Sequence, residues 1–109
     1  MKTELADEKC VEAGDKQLRL KQSEIGAFRK KISKWSLVKG KILEKKFKFP
    51  DFKHALQFTV KVGNMADKQG HHPDILLTYG SVRIQLSTHS AGGLTKNDFI
   101  LAAKIDRVK

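Results

Sequence analysis

The segment from Pro50 to Gly70 limits the folds open to this chain more than any other. Pro50 cannot continue a strand and Asp51 is a capping residue; Phe52, Ala55, Leu56, Thr59, Val60, Gly63 and Ala66 then recur at steps of one, three and four along one side of a long helix that Gly70 ends. Such a helix has to cover its apolar side, and both flanks offer strands to cover it. Upstream, residues 35–38 and 41–49 flank Lys39 and Gly40 and read as a hairpin, with Leu43, Phe47 and Phe49 on one face. Downstream, residues 75–79 and 82–88 flank Gly80 and Ser81, where glycine at the first central position suits a type II′ turn. Val82, Ile84, Leu86 and Thr88 alternate with Arg83, Gln85, Ser87 and His89, so a regular strand turns His89 away from the apolar face.

Two more helices complete the pattern. From Ser23, a candidate N-cap, Ile25, Phe28, Ile32 and Trp35 form an amphipathic stripe that should end near Lys34. Thr95 and Asp98 resemble a capping box with Asp in place of Glu, opening a helix whose stripe is Leu101, Ala102, Ile105 and Val108. The expected fold is therefore α+β: a four-stranded antiparallel sheet with three helices on one face, in the order α-β-β-α-β-β-α. Residues 1–20 show no sustained period and are expected to form an irregular N-terminal arm, leaving 21–109 as a single domain.

Charge is unevenly placed. Residues 1–24 hold five Lys/Arg and six Asp/Glu, a net of −1, whereas 25–109 hold seventeen and six, a net of +11, so the folded part carries the positive charge of a chain that is +10 as a whole. A basic surface attracts polyanions, but these lysines lack the interleaved aromatics of a single-strand platform, and nucleic acid is not the expected partner. No apolar run approaches the roughly 18 residues that cross a bilayer, and no secretory leader precedes the first acids. A cytoplasmic protein with no membrane association is the expectation. Cys10 is the only cysteine, which removes any intrachain disulfide.

Three of the four histidines, His71, His72 and His89, fall in one short segment. Imidazole titrates near neutral pH and can both give and take a proton, so acid/base chemistry leads. Pro73 biases His72 toward extended backbone, where neighbouring side chains point apart; the two rings then do different jobs and are poorly placed to share a metal. His54 lies off the helix stripe and reads as a surface residue. Glycine-rich phosphate loops and serine-nucleophile signatures are missing. Asp67 and Asp98 remain to orient a ring or to bind a ligand's amine groups, with capping the simpler role for Asp98.

The spacing Asp67, His71-His72-Pro73, Tyr79, His89, Asp98 resembles that of the pterin-4a-carbinolamine dehydratases. The likeness extends through Phe47-Lys48-Phe49-Pro50-Asp51-Phe52 with Ala55 and Phe58, and through Thr88-His89-Ser90-Ala91-Gly92-Gly93-Leu94-Thr95 to Ala102, Ile105 and Asp106, over residues 23–108 with Trp35 included. The resemblance implies the same helix and strand order and assembly into homodimers or homotetramers. It also implies removal of water from 4a-hydroxytetrahydropterin, the product of aromatic amino acid hydroxylases, to give quinonoid dihydropterin for recycling. Neither cofactor nor metal is implied. His71, His72 and His89 would form the active site, with His71 and His89 sharing the proton transfers and His72 positioning the pterin. Asp67, Pro73, Ser87, Thr88 and Asp98 would be substrate contacts. Some animal members also serve as dimerisation cofactors of a homeodomain transcription factor, which makes a protein-binding role the second reading.

Overall fold

In the computed structural model, residues 4–11 and 18–109 are described. Four antiparallel strands form one sheet in the order β1-β2-β4-β3: β1 is Ser36–Val38, β2 Ile42–Lys48, β3 Asp74–Thr78 and β4 Ser81–Leu86. The helices are α1 (Gln22–Arg29), α2 (Phe52–Gln69) and α3 (Lys96–Val108). Element order and fold class are those expected from the sequence.

One face of the sheet is dry. Leu43 and Phe47 of β2 and Val82, Ile84 and Leu86 of β4 are buried in register, while Arg83 and Lys46 stand opposite each other on the exposed face. The helices close the dry side: Ile25 of α1, Ala55, Phe58, Val62 and Ala66 of α2, and Phe99, Ile100, Leu101, Ala102 and Ile105 of α3 share one core with the strands. Phe58 packs on Phe47 and Phe49 with ring centroids 4.8 and 5.1 Å apart. Lys45 runs over the Phe47 ring to reach Asp106 Oδ1 at 2.7 Å, and Trp35 Nε1 donates to the other oxygen of that carboxylate at 3.1 Å, tying the sheet to the end of α3.

The element ends show where local chemistry differs from the sequence reading. Asp51 caps α2 as expected, accepting from the His54 backbone N–H at 2.9 Å and lying 2.6 Å from its ring; together these hold the Asp51 carboxyl below the usual carboxylate range. Gly70 ends α2 in the left-handed conformation, φ +66°. The helix begun at Gln22 ends at Arg29, short of Lys34, which takes φ +64° and turns the chain so that Ile32 and Trp35 still reach the core. The second hairpin turns at Tyr79 and Gly80, because Thr78 pairs with Ser81; the turn sits one residue earlier than expected, and neither residue has a positive φ. Among the described residues no helix is long and apolar enough to cross a membrane.

Candidate active site

The end of α2, the start of β3, the end of β4 and the start of α3 meet at Asp98. Asp98 is the third residue of α3, and its Oδ2 accepts the Thr95 backbone N–H at 2.9 Å, closing the first turn of the helix. The same oxygen accepts the Thr88 hydroxyl at 2.8 Å, and that hydroxyl lies 2.9 Å from the hydroxyl of Thr95. Oδ1 faces His71 Nε2 at 2.6 Å. Asp98 is 0% exposed and the His71 side chain 12%, so the pair is shielded from solvent except at the imidazole edge. An ionised carboxylate only accepts, so this contact suits a ring proton on Nε2 and leaves Nδ1 without a hydrogen-bond partner among the described residues.

His72 points elsewhere. Its Nε2 lies 3.2 Å from Asp67 Oδ1 on the exposed last turns of α2, so the two adjacent rings have separate carboxylate partners. This is the divergence that Pro73 implied. His89 is exposed, as the alternation suggested, but for a different reason: β4 stops at Leu86, and residues 89–91 form a 3-10 turn closed by Gly92 at φ +78°. Paired backbone bonds between Thr88 and Gly93, at 3.0 and 3.3 Å, brace this loop. His89 therefore begins one residue beyond the Thr88 that bonds Asp98. Together with Ser87, Thr88, Lys41 and Ile42, it lines a cavity of about 290 Å³.

Of the eight site residues expected from sequence, the network joins His71, Thr88 and Asp98, with His89 and Ser87 at its edge. Thr88 and Asp98 are buried with their polar atoms committed to one another and to His71, so they stand behind the imidazole rather than on open surface. Asp67 and His72 form a separate exposed pair, and Pro73 is half-buried at the entry to β3. Thr95, read from sequence only as a helix cap, and Lys41, not singled out, belong to the same region. The Thr95 hydroxyl could be found only from the loop that folds it onto Thr88, and Lys41 only from the pairing of β2 with β4.

The sequence profile of the pterin 4 alpha carbinolamine dehydratase family matches residues 18–108. A relative from Alkaliphilus metalliredigens named for pterin-4-alpha-carbinolamine dehydratase is 40% identical over 104 residues, covering 94% of each chain. One of the same name from Sulfurisphaera tokodaii is 47% identical over 90 residues, 83% of this chain and 96% of its own. Among solved structures, a transcriptional coactivator/pterin dehydratase from Brucella melitensis superposes with a TM-score of 0.78 at 33% identity, over 83% of this chain and 97% of that one. A pterin dehydratase-like RuBisCO assembly factor of the alpha-carboxysome, 24% identical with a TM-score of 0.53 over 62% of this chain and 77% of its own, shares the fold.

Proposed function

The chain belongs to the pterin 4 alpha carbinolamine dehydratase family, a family of hydro-lyases, and on that premise we propose that it dehydrates a 4a-hydroxytetrahydropterin to quinonoid dihydropterin in pterin recycling, using histidine acid/base catalysis. The observation that carries the reading is the shielded His71–Asp98–Thr88 network ending beside His89. In the reaction the bond from the 4a carbon to its hydroxyl breaks, the hydroxyl leaves as water with one added proton, and the adjacent ring nitrogen gives up a proton as the new carbon–nitrogen double bond forms. One acid and one base suffice. His71, with Nε2 anchored on a carboxylate that stabilises the imidazolium, suits the base; His89, open to solvent and able to replenish its proton, suits the acid. His72, oriented by Asp67, and Pro73 would hold the flat ring, and Ser87 would contact its edge.

Two or four copies would assemble in solution. That reading is supported by Phe52, Leu56 and Val60, which leave a continuous apolar stripe on α2 that is 44%, 42% and 51% exposed. The Brucella structure's description as a coactivator favours, as second reading, a regulator protein bound on such a surface. The decisive experiment follows dehydration of a 4a-hydroxypterin by the purified protein, then by His71→Ala and His89→Ala. Each substitution should slow turnover by about 10²-fold or more; unchanged turnover in both would overturn the assignment.

A further inference from the structure

Lys41, Gly92 and Gly93, which line the 290 Å³ cavity beside His89, also line a second cavity of about 590 Å³. Its remaining charged lining is Arg19, Lys21 and Lys39, and among the described residues no acidic side chain lines it. We propose that these four cations form an anion subsite beside His89, and that the preferred substrates are pterins whose side chain ends in a phosphate or carboxylate group. This deepens the dehydratase reading and rests on it.

Several features indicate that the charge is placed rather than incidental. Among the described residues Arg19, Lys21, Lys39 and Lys41 form no ion pair and are exposed, as are Lys30, Lys31, Lys34, Lys46 and Lys53; what sets the four apart is that they line one cavity. Glu24, on the first turn of α1, turns its carboxylate to the Lys21 backbone N–H at 2.8 Å. The hairpin joining β1 to β2 needs a left-handed backbone at both central residues, φ +53° at Lys39 and +72° at Gly40. Asn or Asp would adopt the first more readily, yet a lysine occupies it at the rim of the cavity.

Arg19 is held in place by the absence of side chains beneath it. A Cβ at Gly93 would meet Arg19 Cδ at 3.0 Å, and one at Gly92 would meet its Nη1 at 3.3 Å, so the Arg19 side chain runs close against the loop that carries His89. The Leu20 backbone N–H, bonded to the Leu94 carbonyl at 2.8 Å, fixes the chain beside it. A guanidinium and three ammonium groups around a concave wall focus a positive field on the cavity next to His89, and the planar fork suits phosphate or carboxylate oxygens. An uncharged hydroxyalkyl side chain would gain nothing there.

The test compares kcat/KM for 4a-hydroxy adducts of one pterin ring carrying an uncharged side chain, a phosphate ester or a glutamyl tail. The better anionic substrate should exceed the neutral one by on the order of 10-fold at low salt, the advantage should shrink as salt rises, and in the double variant Lys21→Glu, Lys39→Glu the ratio should fall to about 1 or below. Whether phosphate or carboxylate is read follows from which adduct is preferred. A ratio near 1 in the unaltered protein, or one unmoved in the variant, overturns the subsite. If no adduct is dehydrated, the dehydratase reading fails by itself, and fluorescence titration with unreactive anionic and neutral pterins decides the subsite separately. Displacement of the anionic pterin by a short RNA of equal or higher affinity at physiological salt would assign the surface to nucleic acid instead and overturn the proposal.

Discussion

Asp98 has no spare hydrogen-bonding capacity facing solvent: Oδ2 serves the Thr88 hydroxyl and the Thr95 amide, and Oδ1 serves His71. A carboxylate is the only side chain of this size that accepts on both sides. In Asp98→Asn the carboxamide keeps the shape but must present its NH₂ to one of those donors, leaving either the helix cap or the imidazole opposed by a second donor. The expected result is a kcat lowered by on the order of 10²-fold with little change in KM, because substrate surface is untouched, and thermal unfolding displaced by about 1–3 kcal/mol of lost stability. Equal kcat in the variant would remove Asp98 from the proton-transfer machinery and leave it a cap. Half of this was legible in the chain: Thr95 followed by Asp98 announces a cap, and Pro73 announces that His71 and His72 diverge. The other half was not, because the link from Asp98 to Thr88 depends on a loop closed by Gly92 at φ +78°, and local spacing carries no record of which hydroxyl that closure delivers.

At the scale of elements, periodicity found every helix and strand but misjudged one face. α2 carries two apolar stripes about a hundred degrees apart, Ala55, Phe58, Val62 and Ala66 on one side and Phe52, Leu56 and Val60 on another. A count of apolar steps blends them, and the reading from sequence took Ala55 and Ala66 from the first together with the whole of the second, passing over Phe58 and Val62. The sheet decides between them, since Phe47 and Phe49 accept the ring of Phe58. The consequence is testable by a matched pair. Phe58→Ala should cost about 3–5 kcal/mol of stability by opening the core. Leu56→Glu should leave the isolated fold within about 0.5 kcal/mol, since the site is exposed, while lowering the assembly state seen by sedimentation as a carboxylate is forced into the stripe. An unchanged sedimentation coefficient would show that α2 is not where copies meet. The second hairpin failed in a smaller way: glycine marked the turn, but cross-strand pairing of Thr78 with Ser81 set its register.

Across the whole molecule, residues 4–11 of the arm that showed no period are fastened along α3, the rest of the expected 1–20 arm up to residue 17 lying outside the described residues. Leu5 and Ala6 are buried, Lys104 donates to the Ala6 carbonyl at 2.8 Å, and Arg107 reaches Asp7 at 2.7 Å and Glu4 at 2.8 Å. On α3, Phe99, stacked on Phe28 with ring centroids 5.3 Å apart, and Ile100 are buried as well as the expected Leu101, Ala102 and Ile105. The far end is held by Asn97, whose carboxamide bonds both the N–H and the carbonyl of Val11, and by Gln69, which accepts the Cys10 N–H at 2.9 Å. Arg107 keeps the Asp7 carboxyl below the ordinary carboxylate range. That contribution is therefore complete above the unfolded carboxylate pKa and is lost as pH falls through the lowered one. The single thiol reports on this seat. Burial pushes Cys10 up to about 11, so with the arm docked little thiolate is present near pH 8. In Asn97→Ala both bonds to Val11 disappear, Cys10 regains solvent, and its reaction with a disulfide reagent at pH 8 should accelerate by on the order of 10- to 100-fold, in proportion to the thiolate released. The same acceleration in Arg107→Ala would mean the arm lifts as one unit, whereas acceleration in Asn97→Ala alone would mean that its two ends are seated independently; a thiol equally slow in both would show that burial of Leu5 and Ala6 holds the arm without either anchor.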